Sequence, residues 1–434
     1  MGVSSSLYSG VSGLNANGNA MSVIGNNIAN ANTVGFKSSR AIFGDLLSSQ
    51  ISGSGGISQV GRGVGLSIVD NIFSQGTFEN TETNTDLAVE GSGFFIVSDP
   101  TTGNSVNDYT RAGAFRFDAN GYLVNPEGYN VMGFQLDTNG NTYGDLVPVW
   151  ANTQSFTAAG PTANITLNTN IDSDSVAIPA GFDINNPAAS SHYATSIQVF
   201  DSLGSTHLMT TYFTKTANQS WEWNTVVDGG EVTGGTAGTL ELVGEGVLNY
   251  DASGNLDLTT SGTGNPLATA GVFTTAAGTL DWVNGAVQTQ QISIDMQTTQ
   301  YASPSVVVSQ EQDGYGTGTL VKLSIDEVGN IVGNFSNGTP RKLMRLALAK
   351  FTNPGALTKA GNNMFSESGN SGPSTIGTVG SGVGNIFTNA LELSNVDLAQ
   401  EFVKMITTQR GFSANSKTIT TTDEMLAEVI SLKR

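Results

Sequence analysis

Few residues of this 434-residue chain have the types and the spacing that catalysis or metal binding requires. There is no cysteine, so neither a disulfide nor a thiolate metal site is possible. The two histidines, His192 and His207, do not stand at ligand spacing from each other. No strong phosphate-loop motif and no GxSxG nucleophile motif occurs. We therefore expect no catalytic residue, no metal and no cofactor, and hence no enzyme.

Three segments match the beginning of a calcium-binding loop, but only superficially. They start at Asp118, Asp137 and Asp251, and each has a glycine three residues later. In the segment that starts at Asp137, Pro148 stands where an EF-hand requires a bidentate Glu, so the match fails. Asp, Asn and Gly at such positions are typical of tight turns, and hairpin turns explain all three segments more simply.

A carbohydrate site is a second possibility, because scattered carboxylates could pair as the acid and base of a glycosidase. Trp221, Trp223 and Trp282 could in addition line a platform for sugar rings. In a β-rich chain, however, such aromatic residues more often fill the core. A secreted carbohydrate-binding β protein is therefore the less favoured alternative.

The charge of the chain excludes further classes of partner. The net charge is −19, and residues 117–321 contain 19 acidic side chains against one basic side chain, Lys215. This sign opposes phosphate binding, so we expect no nucleic acid as a partner. The longest apolar run, near residues 343–351, is broken by Arg345 and Lys350 and is far shorter than the ~18–20 residues of a membrane span, so we expect no membrane insertion.

The first 36 residues contain no charged side chain. Without a basic residue before Lys37 they are not a usual secretory signal, so the chain either stays inside the cell or leaves by a route that does not read one. Gly18 and Gly25 stand at intermediate positions of a heptad-like apolar stripe, which predicts a helix. Because each Gly costs up to ~1 kcal/mol relative to Ala in a helix, we expect this helix to form only when its stripe is covered. The stripe residues are Leu7, Val11, Leu14, Met21, Ile24 and Ile28.

The C-terminal segment has a matching apolar stripe, with Asp397 placed to suit the positive end of a helix dipole. If two terminal helices packed on a globular core, the presence of helices would be explained, but the heptad spacing of both stripes would be explained less well. Two heptad-spaced stripes and an uncharged N-terminal segment instead favour burial on several sides, as in a close-packed polymer, with the N-terminal helix the more enclosed. We therefore predict a polymer interface made of the N-terminal stripe and of Leu398, Phe402, Met405, Phe412, Ile419 and Leu426.

The middle of the chain has strand patterns separated by turns, for example at Asn120-Gly121 and Asn337-Gly338. We predict a mainly β fold with α-helical termini, in which the termini pair as a coiled-coil-like domain and one of two β-rich domains is inserted in the other. The predicted divisions are 1–36 with 390–434 for the helical polymerisation domain, 37–85 with 366–389 for extended connecting segments, 86–145 with 301–365 for the first β domain, and 146–300 for the inserted β domain.

Four motifs carry a resemblance to a known family. NNIANANTVGFK (26–37) and SNVDLAQEFVKMITTQRGFSANSKTITTTDEML (394–426) resemble the end signatures of bacterial flagellar axial proteins of the rod and hook type. DLAVEGSGFFIV (86–97) is similar to the start of the first β domain in these proteins. IQVFDSLGSTHLMTTYFTK (197–215) resembles a segment of the outer domain of the hook type, which rod proteins lack.

The resemblance implies a structural subunit that polymerises with its own copies into the flagellar hook, a curved tube that transmits torque from rod to filament as a universal joint. It implies contacts with other axial proteins of the rod, the hook cap and the hook–filament junction. It also implies export to the cell exterior by the flagellar type III apparatus without a cleaved signal. A distal rod protein of the basal body is the alternative within this family.

Overall fold

The computed structural model describes residues 2–53, 56–103, 106–137, 139–152, 156–259, 261, 272–275, 280–288 and 290–431. The helices in these ranges are α1 (Gly2–Ala29), α2 (Pro187–Ser190) and α3 (Leu398–Ser431), with 3-10 turns at Pro100–Thr102 and Pro354–Ala356. The strands in the first part of the chain are β1 (Ser39–Asp45), β2 (Ser49–Gly53), β3 (Gly56–Val60), β4 (Val64–Asn71), β5 (Phe78–Asn80), β6 (Leu87–Glu90), β7 (Phe94–Ser98), β8 (Asn107–Thr110), β9 (Arg116–Phe117), β10 (Leu123–Val124), β11 (Asn130–Leu136) and β12 (Thr142–Pro148). They are followed by β13 (Phe156–Thr157), β14 (Asn164–Asp172), β15 (Tyr193–Phe200), β16 (Thr206–Ala217), β17 (Ser220–Asp228), β18 (Leu240–Asn249), β19 (Val272–Thr274), β20 (Ser293–Tyr301), β21 (Val306–Gln312) and β22 (Gly318–Ile325). The last strands are β23 (Asn330–Phe335), β24 (Pro340–Lys350), β25 (Thr358–Gly361), β26 (Met364–Ser366), β27 (Thr375–Thr378), β28 (Asn385–Thr388) and β29 (Ala390–Glu392).

The chain divides into two compact units. Unit 1 consists of Met1–Thr153, Lys322–Gly333 and Pro340–Arg434, and unit 2 consists of Gln154–Val321 and Asn334–Thr339. Unit 2 is thus inserted, in chain order, into unit 1. Both helices at the ends of the chain belong to unit 1, where they pack together. The predicted fold class, mainly β with paired helical termini and nested β-rich parts, is confirmed.

The main sheet of unit 1 is covered on both faces. Its central strands follow the order β24-β11-β7-β8-β26-β25, and β12 and β27 pair with β11 and β24. All five residues of β7 are buried, with Phe95 and Val97 in one apolar cluster and Phe94 and Ile96 in another. Successive side chains of a strand point to opposite faces, so a strand between two apolar layers must be apolar throughout. This requirement explains the continuous run FFIV in the sequence.

Unit 2 contains two four-stranded sheets. One is the antiparallel meander β15-β16-β17-β18, and the other has the order β19-β20-β14-β21. Strands β14 and β20 are parallel, and parallel neighbours require a long connection, which the meander supplies. Trp221, Trp223 and Trp282 are at most 1% exposed and belong to the apolar core of the unit. The expectation that these aromatic residues fill a β core is confirmed, and they form no surface platform for sugars.

The turns of both units share one local device, in which an Asp carboxylate caps its own turn. In the turn from Asp118, the Oδ1 atom accepts hydrogen bonds from the backbone N–H groups of Asn120 (2.9 Å) and Tyr122 (2.7 Å). The glycine between them, Gly121, has a φ of 88°, a value that Gly adopts without strain. The interpretation of these segments as tight turns is thereby confirmed. The same pattern of bonds recurs from Asp137, Asp201, Asp251 and Asp326.

Several segments differ from the sequence-based divisions. Residues 37–85, expected to be a connecting segment, contain the hairpins β1–β4 and β2–β3. Residues 366–389 were expected to connect in the same way, yet β27 pairs with β24 and β28 pairs with β6. Strand β21 pairs with β14 in unit 2, beyond the boundary placed at residue 300. In each case backbone pairing, to which small and polar residues contribute as well as apolar ones, decides where the segment lies.

The turn device predicts the effect of substitutions at Asp326, whose carboxylate also accepts from Asn330 Nδ2 (2.8 Å). Asp326→Ala leaves the N–H groups of Val328 and Asn330 without this acceptor, so we expect the free energy of unfolding to fall by about 1–3 kcal/mol. Asp326→Asn retains an Oδ1 atom and should lose less than about 1 kcal/mol. Urea unfolding measures both variants, and equal losses would contradict the role assigned to the carboxylate oxygen.

Candidate assembly site: the terminal helix pair and its base

Helices α1 and α3 pack side by side in antiparallel orientation. Gly10 of α1 lies against Ile419, where an added Cβ would come within 3.0 Å of Ile419 Cγ1, and Gly13 lies against Asn415. Further along, a Cβ on Gly411 would lie 2.9 Å from Asn17 Oδ1. Residues of increasing number along α1 therefore contact residues of decreasing number along α3, as in an antiparallel pair. Such close approach requires small residues at the contact, which explains glycine at positions 10, 13 and 411 despite its low helix propensity.

The predicted stripe on α1 lies beside this contact and is only partly covered. Ile24 is buried, whereas Val11 is 41% exposed. The prediction that Gly18 and Gly25 stand in the seam is wrong, because no heavy atom lies within 4 Å of a Cβ placed on either residue. The seam instead runs through Gly10, Gly13 and Asn17, which lie on another face of α1. The remaining stripe residues, Leu7, Leu14, Met21 and Ile28, are half-buried.

The predicted stripe on α3 is more exposed than that on α1. Leu398, Phe402 and Phe412 are 42%, 50% and 44% exposed. Met405, Ile419 and Leu426 are half-buried. In α3 only Glu401 and Thr422 are buried among the described residues, whereas α1 buries Gly10, Gly13, Ala16, Ile24 and Asn27. Within the single chain α1 is therefore the more enclosed helix, as the absence of charge predicts.

Where α1 and α3 meet the β-rich part of unit 1, a buried ion cluster joins three distant parts of the chain. Glu392 Oε1 accepts from Lys37 Nζ at 2.5 Å and from the N–H of Gly76 at 2.9 Å. Its Oε2 atom lies 3.4 Å from Arg111 Nη1. All three charged side chains are at most 1% exposed. A fourth group, Gln75 Nε2, donates to the same carboxylate at 3.1 Å.

The cations of this cluster are held by backbone carbonyls as well as by Glu392. Lys37 Nζ also donates to Ser74 O at 2.7 Å, and Arg111 Nη2 donates to Gly91 O at 2.5 Å. Burial lowers the pKa of both Lys37 and Arg111, and the charge of Glu392 acts in the opposite direction. Removing the carboxylate would therefore leave two desolvated cations without their anionic partner.

Asparagine amides fasten the helix ends next to this cluster. Asn27 of α1 accepts from the N–H of Ser39 (3.0 Å) and donates to Ser39 O (2.8 Å) and to Glu401 Oε2 (3.2 Å). Asn395, just before α3, accepts from the N–H of Ser38 (2.8 Å) and donates to Ile72 O (2.8 Å). Each amide uses both its donor and its acceptor, so each helix end is tied to β1 or to the segment after β4.

The chain reversal between α1 and β1 also requires one glycine. Gly35 has a φ of 69°, and a Cβ there would lie 2.4 Å from the backbone N of Ala112. Its own N–H donates to Glu392 O at 2.7 Å. The NTVGFK and SNVDL segments thus contain Gly35, Lys37 and Asn395, which help to fix the helix pair on the β-rich part of unit 1. We call Lys37, Arg111, Glu392, Asn27 and Asn395 the base.

Sequence reasoning did not single out the base. Lys37 is the first charged residue after 36 uncharged ones, and Glu392 stands alone between apolar neighbours. Both are signals of a buried charge, but neither identifies its partner. The described residues contain no group of three or more His, Asp or Glu side chains placed to hold a metal ion. None of the helices in the described ranges is long and apolar enough to cross a membrane.

Comparison with known proteins places these features in a family. The family model of the flagella basal body rod protein matches residues 7–37, and that of the flagellar hook protein FlgE/F/G D1 domain matches 88–183. The model of the flagellar basal body protein FlaE D2 domain matches 170–315, and that of the flagellar basal body rod FlgEFG protein C-terminal matches 388–432. Three of these matches each contain one residue of the ion cluster, namely Lys37, Arg111 or Glu392.

Curated relatives decide the family. Flagellar hook protein FlgE of Borreliella burgdorferi is 38% identical to this chain, and the alignment covers 99% of each of the two chains. Flagellar hook protein FlgE of Escherichia coli is 34% identical over 433 residues, which cover 98% of each chain. The chain belongs to the flagellar hook protein family. Among solved structures, Helicobacter pylori flagellar hook protein FlgE2 covers 72% of this chain and 100% of its own, with 16% identity and a TM-score of 0.47. The base thus joins both ends of a hook-family chain to its first β-rich part.

The ion cluster predicts a large loss of stability on removal of its anion. Glu392→Ala leaves Lys37 and Arg111 buried without a carboxylate, so we expect the free energy of unfolding to fall by about 3–5 kcal/mol. Glu90→Ala provides a control, since Glu90 lies on the adjoining strand β6 but is exposed. Urea unfolding should show a change of less than about 0.5 kcal/mol for that control. Similar losses for the two variants would show that the cluster is not what holds the base.

Proposed function

We propose that the chain is the structural subunit of the flagellar hook, and that it self-assembles into a curved tubular polymer. The polymer acts as a universal joint that carries torque from rod to filament. Membership of the hook family supports this function, because relatives that align over nearly the whole chain carry the hook name. We further propose that the protein has no enzymatic activity and acts only through its contacts with other subunits.

One observation supports polymerisation in particular: the helix pair leaves large apolar side chains uncovered. Phe402 and Phe412 of α3 are half-exposed although each belongs to a regularly spaced apolar stripe. A helical polymer needs an interface between two different surfaces, so that each added copy exposes a fresh site and the assembly does not close into a ring. We propose that the twelve stripe residues of α1 and α3 contribute the innermost layer of this interface.

The proposed partners are further copies of the chain and the axial proteins that precede and follow it, namely those of the rod, the hook cap and the hook–filament junction. We also propose export through the flagellar type III apparatus without a cleaved signal, and a final location outside the cell. The uncharged, glycine-rich α1 is consistent with this route, because a segment of low helix propensity can pass unfolded and fold when covered by its neighbours.

A distal rod protein is the second candidate function, since two of the matching family models describe rod proteins. The match at residues 170–315 and the end-to-end similarity to hook proteins favour the hook. Electron microscopy of basal bodies from a strain that lacks the gene distinguishes the two. A completed rod without a hook supports the hook, whereas an unfinished rod would support the alternative.

The proposed interface predicts which apolar residues matter for assembly. Phe402→Ala and Phe412→Ala should lower the free energy of unfolding by less than about 1.5 kcal/mol, because about half of each residue is already exposed in the single chain. Both variants should nevertheless fail to polymerise on fragments of wild-type polymer, as measured by sedimentation. Phe156→Ala, at a 74% exposed phenylalanine of unit 2, is the matched control and should polymerise normally. Normal polymerisation of both α3 variants would contradict the proposed interface.

A further inference from the structure

Lys359 of β25 stands between two cavities of unit 1. One cavity has a volume of about 420 Å³, and its lining includes Asn26, Ser39 and Asn71. The other has a volume of about 210 Å³, and its lining includes Asn26, Asn30 and Phe36. Lys359 and Asn26 line both cavities. A single ammonium group therefore faces two adjacent pockets whose walls are rich in amide groups.

Among the residues that the structure describes, the ammonium group of Lys359 has no anionic partner. Its Nζ atom donates to Ser39 Oγ at 2.8 Å and lies 5.3 Å from the centre of the Phe36 ring. An ammonium group has three donors, so one hydroxyl acceptor leaves further donors directed at the cavities. Burial lowers the pKa of Lys359, and no carboxylate among the described residues opposes that effect. Lys37, by contrast, is buried next to Glu392.

The amide side chains beside Lys359 can donate hydrogen bonds as well. Asn26 lines both cavities, and its Oδ1 atom accepts from Asn30 Nδ2 at 3.2 Å, so its Nδ2 group can donate to a further acceptor. An ionised carboxylate only accepts hydrogen bonds, and bonds from a cation to it are the strong ones. An ammonium group and a primary amide at one opening therefore suit a carboxylate.

The charge distribution identifies the source of that carboxylate. Residues 117–321 carry 19 acidic side chains, and their one basic side chain, Lys215, is buried with its Nζ atom donating to Ser173 O and Ser175 O. In an assembly of identical copies, these carboxylates of one copy are available to the cationic side chains of another. We propose that Lys359 and Asn26 form a binding site for an acidic side chain of a neighbouring copy. The site rests on the proposed polymerisation.

The test compares Lys359→Met with Lys350→Met in the full chain. Lys350 belongs to the same unit, is exposed as Lys359 is, and donates to Gly382 O at 3.3 Å, so it is a matched lysine outside the cavities. Sedimentation on wild-type polymer fragments measures the critical concentration for assembly at low and at high salt. We expect Lys359→Met to raise the critical concentration about tenfold at low salt, equivalent to about 1.4 kcal/mol, and to reduce its dependence on salt. Lys350→Met should behave as wild type, and Lys359→Arg, which keeps the charge, should stay closer to wild type than Lys359→Met.

Thermal unfolding of each monomer shows whether the variants fold as the wild type does. A folded Lys359→Met that assembles at the wild-type critical concentration, with the wild-type dependence on salt, overturns the site and leaves the proposed function intact. Titration of the wild-type monomer with acetate, followed by NMR, tests for a free carboxylate ion. Acetate binding together with unimpaired assembly of Lys359→Met would also contradict a neighbouring copy as the source. A wild-type chain that does not polymerise at all would overturn the proposed function and this site together.

Discussion

The arrangement of unit 1 depends on the burial of the Glu392 carboxylate between Lys37 and Arg111. A buried charge is costly unless it is paired and hydrogen-bonded, and a buried ion pair is a weak source of net stability. We propose that its effect is on specificity, because the carboxylate is fully paired when all three segments are in place. Lys37 follows α1, Glu392 precedes α3 and Arg111 follows β8. The same contacts therefore bring the two ends of the chain together and fix them to the β-rich part.

The residues of the helix pair favour close contact between α1 and α3 over the stability of each helix by itself. Gly10, Gly13 and Gly411 allow the backbones to approach, but glycine lowers the helix propensity of both segments. The apolar side chains that could compensate, such as Phe402 and Phe412, lie on surfaces that the single chain leaves half-exposed. The helix pair is thus stabilised by the base at one end and, in our proposal, by neighbouring copies along its length. A monomer that is incomplete in this sense is suited to polymerise only where a site for it already exists.

Sequence patterns predicted the parts of this structure that depend on local or periodic interactions. The heptad-spaced stripes predicted both terminal helices and their pairing, and the Asp and Gly spacing predicted turns such as that at Asp118. Trp221, Trp223 and Trp282 were correctly expected to fill a core. Such features follow from helix periodicity, from turn chemistry and from the area that an aromatic side chain must bury.

The remaining features depend on pairing across long stretches of chain, which spacing does not reveal. Glu392 and Lys37 are 355 residues apart, and nothing in either segment identifies the other as its partner. The Gly- and Ser-rich residues 366–389 have the composition of a linker, yet backbone hydrogen bonds hold them in β27 and β28. Likewise, the glycines that meet α3 are Gly10 and Gly13, not Gly18 and Gly25, although all four belong to the same uncharged helix.

The central claim is that copies of this chain assemble through a terminal helix pair held by the buried base. Electron cryomicroscopy of the polymer formed by the purified chain, at a resolution that shows side chains, tests it most directly. The account predicts that α1 and α3 of adjacent copies form the innermost layer, with Phe402 and Phe412 buried between copies and Glu392 still bound to Lys37. A polymer in which these phenylalanines face solvent, or in which the Lys37–Glu392 pair is broken, would contradict it.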